Sequence, residues 1–115
     1  MAVQINFLID QGSTFDAVVT VQNEDGTVFD LTNWTPYSQM RKHERSVGAI
    51  NITVAVLGDP VNGEIQMELF PADTNPLRGG RFIYDVELHH NTDLTRVKRA
   101  VQGIITLSPQ STKIP

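Results

Sequence analysis

Apolar and polar residues alternate along almost the whole chain, and a chain patterned with period two buries its apolar side chains as β-strands. Val3, Ile5, Phe7 and Ile9 mark the first run. Phe15, Ala17, Val19 and Val21 form the inward set of the second, with Asp16, Thr20 and Gln22 outward. Trp34 to Arg41 reads as a third strand. Pro36 has no amide to donate, so that strand is expected at a sheet edge or with a bulge near its start. Ile50 to Leu57 is β-branched and alternating. Glu64 to Phe70 turns Ile65, Met67 and Leu69 inward, and Arg81 to His90 does the same with Phe82, Tyr84, Val86 and Leu88. A last strand runs from about Thr95 to Leu107. Gly103 sits in its middle, where a bulge or a close backbone approach is expected.

Turn chemistry separates these runs. Asp25-Gly26 is the strongest short turn signal in the chain, which makes Gly26 a structural residue. Asp30-Leu31-Thr32-Asn33 reads as a tight corner, and Gly58 to Gly63 and Gly79-Gly80 as further turns. In Pro71 to Leu77, Asp73 or Thr74 can cap one short helical turn, which Pro76 stops. About seven strands follow, with no long amphipathic helix. The expectation is an all-β fold, a single antiparallel β-sandwich domain over residues 1–115, with 108–115 a loose or partner-bound tail. A closed barrel satisfies the same pattern.

Composition narrows the function classes. A net charge of −4 argues against a partner chosen by bulk charge, whether nucleic acid or an anionic membrane. There is no cysteine, so disulfides, thiolate metal sites and a cysteine nucleophile are excluded. The apolar runs are too short for a membrane-spanning helix, and the first residues lack the basic and apolar stretches of a signal peptide.

Asp85, Glu87 and His89 would share one face of an extended strand, as a metal-binding trio would. Ligands along one strand stand ~6–7 Å apart and converge poorly on one ion. Because Tyr84, Val86 and Leu88 supply the core face between them, the trio reads as the strand's solvent side. Two basic clusters, Arg41-Lys42 with Arg45 and Arg96 with Lys98-Arg99, lack interleaved aromatics for stacking on bases. Lys98 and Arg96 read as keeping an edge strand soluble. The serines and histidines sit in no nucleophile motif, and no phosphate-binding glycine loop is present. Trp34 and Tyr37 offer a sugar-stacking platform, against the simpler reading of Trp34 as a core residue. Tyr84 stands at the start of a late strand after a proline and glycine corner. It is expected to hydrogen-bond back across that corner, a folding role.

Several of these pieces fall in a familiar order: Gln11 to Phe15, Asn23 to Thr27, Asp30-Leu31-Thr32, Arg41 ending a strand, Gly63-Glu64-Ile65, and Thr74 before a glycine turn. Tyr84 to Leu88 and Gly103 to Pro109 follow, with Thr112 near the end. In this order the chain resembles small immunoglobulin-like β-sandwich proteins encoded among the structural genes of tailed bacteriophages, and the amino-terminal domain of some upper-baseplate proteins. Asn33 stands where those proteins commonly have a glycine; asparagine tolerates the left-handed backbone the turn needs. The resemblance implies a non-enzymatic virion component of tail, baseplate or neck, with other virion proteins and copies of itself as partners. It carries no catalytic residue, metal or cofactor across. A head decoration protein and a carbohydrate- or receptor-binding sandwich are the alternatives. For the partner interface the terminal segments are the expectation: Val3, Ile5, Phe7 and Ile9 at one end, Pro109, Thr112 and Ile114 at the other.

Overall fold

A computed structural model describes residues 2–43 and 48–111. Among the described residues it is mostly β, with nine strands in two sheets. In chain order these are β1 (Val3–Gln4), β2 (Phe7–Asp10), β3 (Phe15–Thr20), β4 (Trp34–Arg41), β5 (Ile50–Asn51), β6 (Thr53–Val56), β7 (Glu64–Leu69), β8 (Gly80–His90) and β9 (Val97–Ser108). The larger sheet runs β1-β9-β8-β4-β5, with β2 also on β9; the smaller runs β3-β7-β6.

Nine strands replace the expected seven because two of the runs are broken. The first splits at Ile5 and Asn6 into β1 and β2, both paired to β9. The fourth splits at Ile52. Its first half pairs with β4 in the larger sheet through Gln39↔Asn51, and its second half with β7 in the smaller through Thr53↔Glu68. Alternation survives such a change of sheet, since each half still buries one face against the same core. Ile52 is the pivot, buried among the core residues, with its amide still donating to Ser38 O at 3.0 Å.

The purely antiparallel expectation is also corrected. β1 and β2 lie parallel to β9, Val3 opposite Val101 and Phe7 opposite Ile105, so the larger sheet is mixed. Among the described residues neither sheet closes on itself: β3 is a free edge of one and β1 with β2 a free edge of the other. Those edges flank one side of the molecule, joined by the Gln11–Thr14 connection. The opposite side is bridged by the strand that changes sheets.

One core lies between the sheets. Met40, Ile65, Met67, Leu69, Val86, Leu88 and Ile105 are fully buried in it, together with Ile9, Val19, Val21 and Leu31. The faces follow the alternation on β3, β4, β7 and β8. Pro36 is buried in β4 opposite Leu88, at a point where β8 is the strand's paired neighbour and β5 has not begun, so its missing donor interrupts no ladder. The bulge falls at Ala100 rather than Gly103: β8 pairs Val86 with Val101 but Glu87 with Arg99, and Ala100 and Val101 are both buried.

The turns behave as their residues require. Gly26 has φ 87° and its amide donates to Asn23 O, while Asn33 takes φ 70° in the corner before β4. The short helix α1 (Pro71–Thr74) is capped by the Asp73 carboxylate, which accepts from the Phe70 amide at 2.8 Å. The Thr74 hydroxyl is buried and accepts from the Gly12 amide.

Candidate functional site

Residues that alternate with the core on β4, β8 and β9 form the outer face of the larger sheet, and there the register assembles something that no single strand contains. Gln39 pairs with Asn51 on one side and Asp85 on the other; Asp85 pairs with Gln102, and Gln102 with Gln4. The result is one polar rung, Asn51–Gln39–Asp85–Gln102–Gln4, across five strands. At ~4.8 Å per strand it is roughly 19 Å wide. A second rung, Tyr37–Glu87–Arg99, runs beside it.

This face is concave, with an open groove of about 1060 Å³ lined along these rungs. Its side chains hold one another. Gln39 donates to Asn51 Oδ1 at 2.9 Å and accepts from Arg41 at 3.1 Å. The Arg99 guanidinium lies 3.4 Å from the Asp85 carboxylate and donates to Gln102 Oε1. His89 Nε2 and Glu87 Oε1 are 3.1 Å apart. Partial burial, then the neighbouring Glu87 charge, push the Asp85 carboxyl above its ordinary range, against the opposing pull of Arg99 and Arg41. Tyr37 stands out of the floor, 56% exposed, its ring meeting the His89 ring edge-on at 5.0 Å and 84°.

Asp85, Glu87 and His89 do share the outer face, but each is engaged sideways, Asp85 with Arg99 and Glu87 with His89. Among the described residues no group of three His, Asp or Glu is placed to hold a metal ion. The basic clusters do not form a patch either. Lys42 lies over the Phe82 ring, Arg96 over Trp34 and Lys98 over Phe29, at 4.7, 5.2 and 4.9 Å. These cations close the rims of the core, and Arg45 lies outside the described residues.

Trp34 and Tyr37 are separated by an odd number of positions on one strand, so they point to opposite faces and make no joint platform. Trp34 packs edge-on against Phe29 and His90 at the end of the core, half-buried. Tyr84 donates to Ile5 O at 2.6 Å, on the far N-terminal segment rather than across the corner that precedes its strand. Gly103 lies directly beneath that carbonyl; a side chain there would overlap the Ile5 oxygen. Of the terminal residues expected at an interface, Ile9 is buried in this chain's own core and Ile5 and Phe7 pack against it. Val3 and Pro109 are exposed, while Thr112 and Ile114 lie outside the described residues. The tail's beginning is tied down: Ser108 still pairs with Asp10, and the Gln110 amide donates to Gln11 Oε1.

The polar rung went unseen in the sequence. Glutamine or asparagine at an outward position is ordinary in any one strand, and their alignment is a property of register, which alternation does not encode.

No protein-family model and no curated protein matches this chain. Among solved structures it is similar to the internalin-like protein lmo2027 of Listeria monocytogenes, at 16% identity and a TM-score of 0.43. The match covers 95% of this chain and 28% of that one, so the chain spans little more than a quarter of its length. A likeness that distant carries no function across.

Proposed function

We propose that this chain is a non-enzymatic structural component of a tailed-bacteriophage virion, an immunoglobulin-like β-sandwich serving as an assembly module of the tail, baseplate or neck. The ordered turn and strand motifs of the sequence support the family reading. Two sheets around one core, joined by a strand that passes from one to the other, are compatible with that sandwich class.

The observation that carries an assembly role is the open side. Among the described residues β2 (FLID) and β3 (FDAVVT) are adjacent free edges with no lysine, proline or bulge, and a single aspartate each, to discourage pairing. Leu8 and Val18 stand on their outer faces at 73% and 50% exposure. Such edges suit strand addition by a neighbouring subunit. The same edge contact repeated by rotation between copies would build a ring.

Quantitative mass spectrometry of purified virions, scaled to the major capsid protein, tests the reading. A small symmetric copy number is expected. Near parity with the capsid protein would make the chain a head decoration instead, and absence from the particle would remove the virion role altogether.

A further inference from the structure

The groove on the outer face of the larger sheet has no part in that assembly argument. The geometry points to a binding site for a neutral oligosaccharide, seated across β4, β8 and β9 with a sugar ring on Tyr37.

Three features of the groove select that chemistry. Its formal charges balance, Arg41 and Arg99 against Asp85 and Glu87, and each is held by a neighbour: Arg99 faces Asp85, Arg41 donates to Gln39, and Glu87 meets His89. An ionic ligand would have to break those contacts, whereas a hydroxyl, donor and acceptor at once, can join them without disturbing the balance. The rung is also built from planar amides and a carboxylate, Gln39, Asn51, Gln102 and Asp85. Most of them are already held by a neighbour, so little side-chain freedom is lost on binding.

The third feature is the alternation of apolar and polar ground. Tyr37 presents a ring that is 56% exposed, with the His89 ring set nearly perpendicular to it at 5.0 Å. Two rungs along, beyond the polar row, Ile83 and Ile104 pair across β8 and β9 and line the other end of the groove. Glu87, beside Tyr37, and Ile83 lie four residue steps apart on β8, about 13 Å. An oligosaccharide matches this plan, since each ring offers an apolar C–H face and a hydroxyl-bearing edge. A protein partner matches it poorly: the centre of the groove is its most polar part, and protein interfaces place their apolar residues there.

The test is a titration of ¹⁵N-labelled protein with hexasaccharides of glucose, mannose and N-acetylglucosamine, with oligogalacturonate as the acidic comparison and sedimentation as a check on self-association. At least one neutral hexasaccharide is expected to shift the amides of Tyr37, Gln39, Asp85 and Gln102. Tyr37→Ala should weaken that binding by roughly tenfold, the scale of one aromatic contact, and Gln39→Ala should weaken it as well. Tyr37 is exposed, so its melting temperature serves as the folding control. Absence of groove shifts with every neutral sugar overturns the proposal. So does binding of oligogalacturonate alone, equal binding by Tyr37→Ala, or shifts that follow protein concentration instead of sugar. None of these outcomes bears on copy number in a virion, so this site and the assembly role stand or fall separately.

Discussion

The Tyr84 hydroxyl donates to the Ile5 carbonyl, 79 residues away in sequence, because Gly103 has no side chain in the space that this carbonyl occupies. Tyr84 and Gly103 are cross-strand partners on β8 and β9, and Ile5 O lies over the glycine. With that carbonyl engaged by Tyr84, Asn6 Oδ1 accepts the Ile104 amide at 2.9 Å. One glycine, one tyrosine and one asparagine thus join the N-terminal segment to the sheet where its ladder is interrupted. Tyr84→Phe leaves the carbonyl without its donor, and we expect a loss of about 1–3 kcal/mol in urea denaturation. Tyr84→Ala also empties the core beneath and should cost about 3–5 kcal/mol.

Gly103→Ala tests the same joint from the other side. The added methyl overlaps the Ile5 oxygen, so the segment between β1 and β2 must move off β9. A loss of about 1–3 kcal/mol is expected, with faster hydrogen exchange at the Ile5 and Ile104 amides and little change in β7. Unchanged exchange at both amides would show that Ile5 does not need the glycine.

The tyrosine also makes stability sensitive to alkali. Burial pushes the Tyr84 hydroxyl from 10.0 up to about 12. Below pH 10 the proton is bound in both folded and unfolded chains, and the contribution is whole. Between about 10 and 12 the unfolded chain loses its proton first, so stability falls as pH rises through that window. Urea melts of the native protein and Tyr84→Phe across this range should differ in slope, with the steeper decline in the native protein. Parallel slopes would mean the hydroxyl ionises freely in the fold.

Asp85 is expected to be almost silent by comparison. Its carboxyl is held above the ordinary range by burial and by Glu87, so its charged form gains little from the fold at neutral pH. A raised carboxyl contributes stability below its unfolded value and loses it as pH rises, the reverse of a salt-bridged aspartate. Asp85→Asn should therefore stay within about 0.5 kcal/mol of the native protein at pH 7. A large destabilisation would show that the Arg99 contact outweighs burial.

Alternation revealed the faces of β3, β7 and β8 and the full extent of β4, because burial of one side of a strand is written directly in residue type. Partnership is not written there. Nothing in Val3 to Ile9 distinguishes a parallel neighbour from an antiparallel one, and Ile50 to Leu57 keeps its period while passing between sheets. The bulge did leave a trace: Ala100 and Val101 are consecutive apolar residues between Arg99 and Gln102, a break in phase that marks the extra residue more directly than the glycine does. The polar rung was illegible for the same reason as the partnerships. It exists only once five strands are in register, and a strand read by itself shows an ordinary wet side.

Pairing β1 and β2 with β9 has a consequence in time. The ribosome delivers β2 nearly a hundred residues before the strand it lies against, since Phe7 pairs with Ile105. Until β9 emerges, the larger sheet lacks the strand that joins β2 to β8, and Ile9 has no completed core to enter. The smaller sheet and β4 can organise earlier, because β3, β6 and β7 precede β8 in synthesis. Closure of so long a loop slows folding and leaves an apolar segment waiting in the open. The nascent chain is therefore most exposed to misassociation just before its last strand is made, and a chaperone acting on this protein would find its target in Val3 to Ile9.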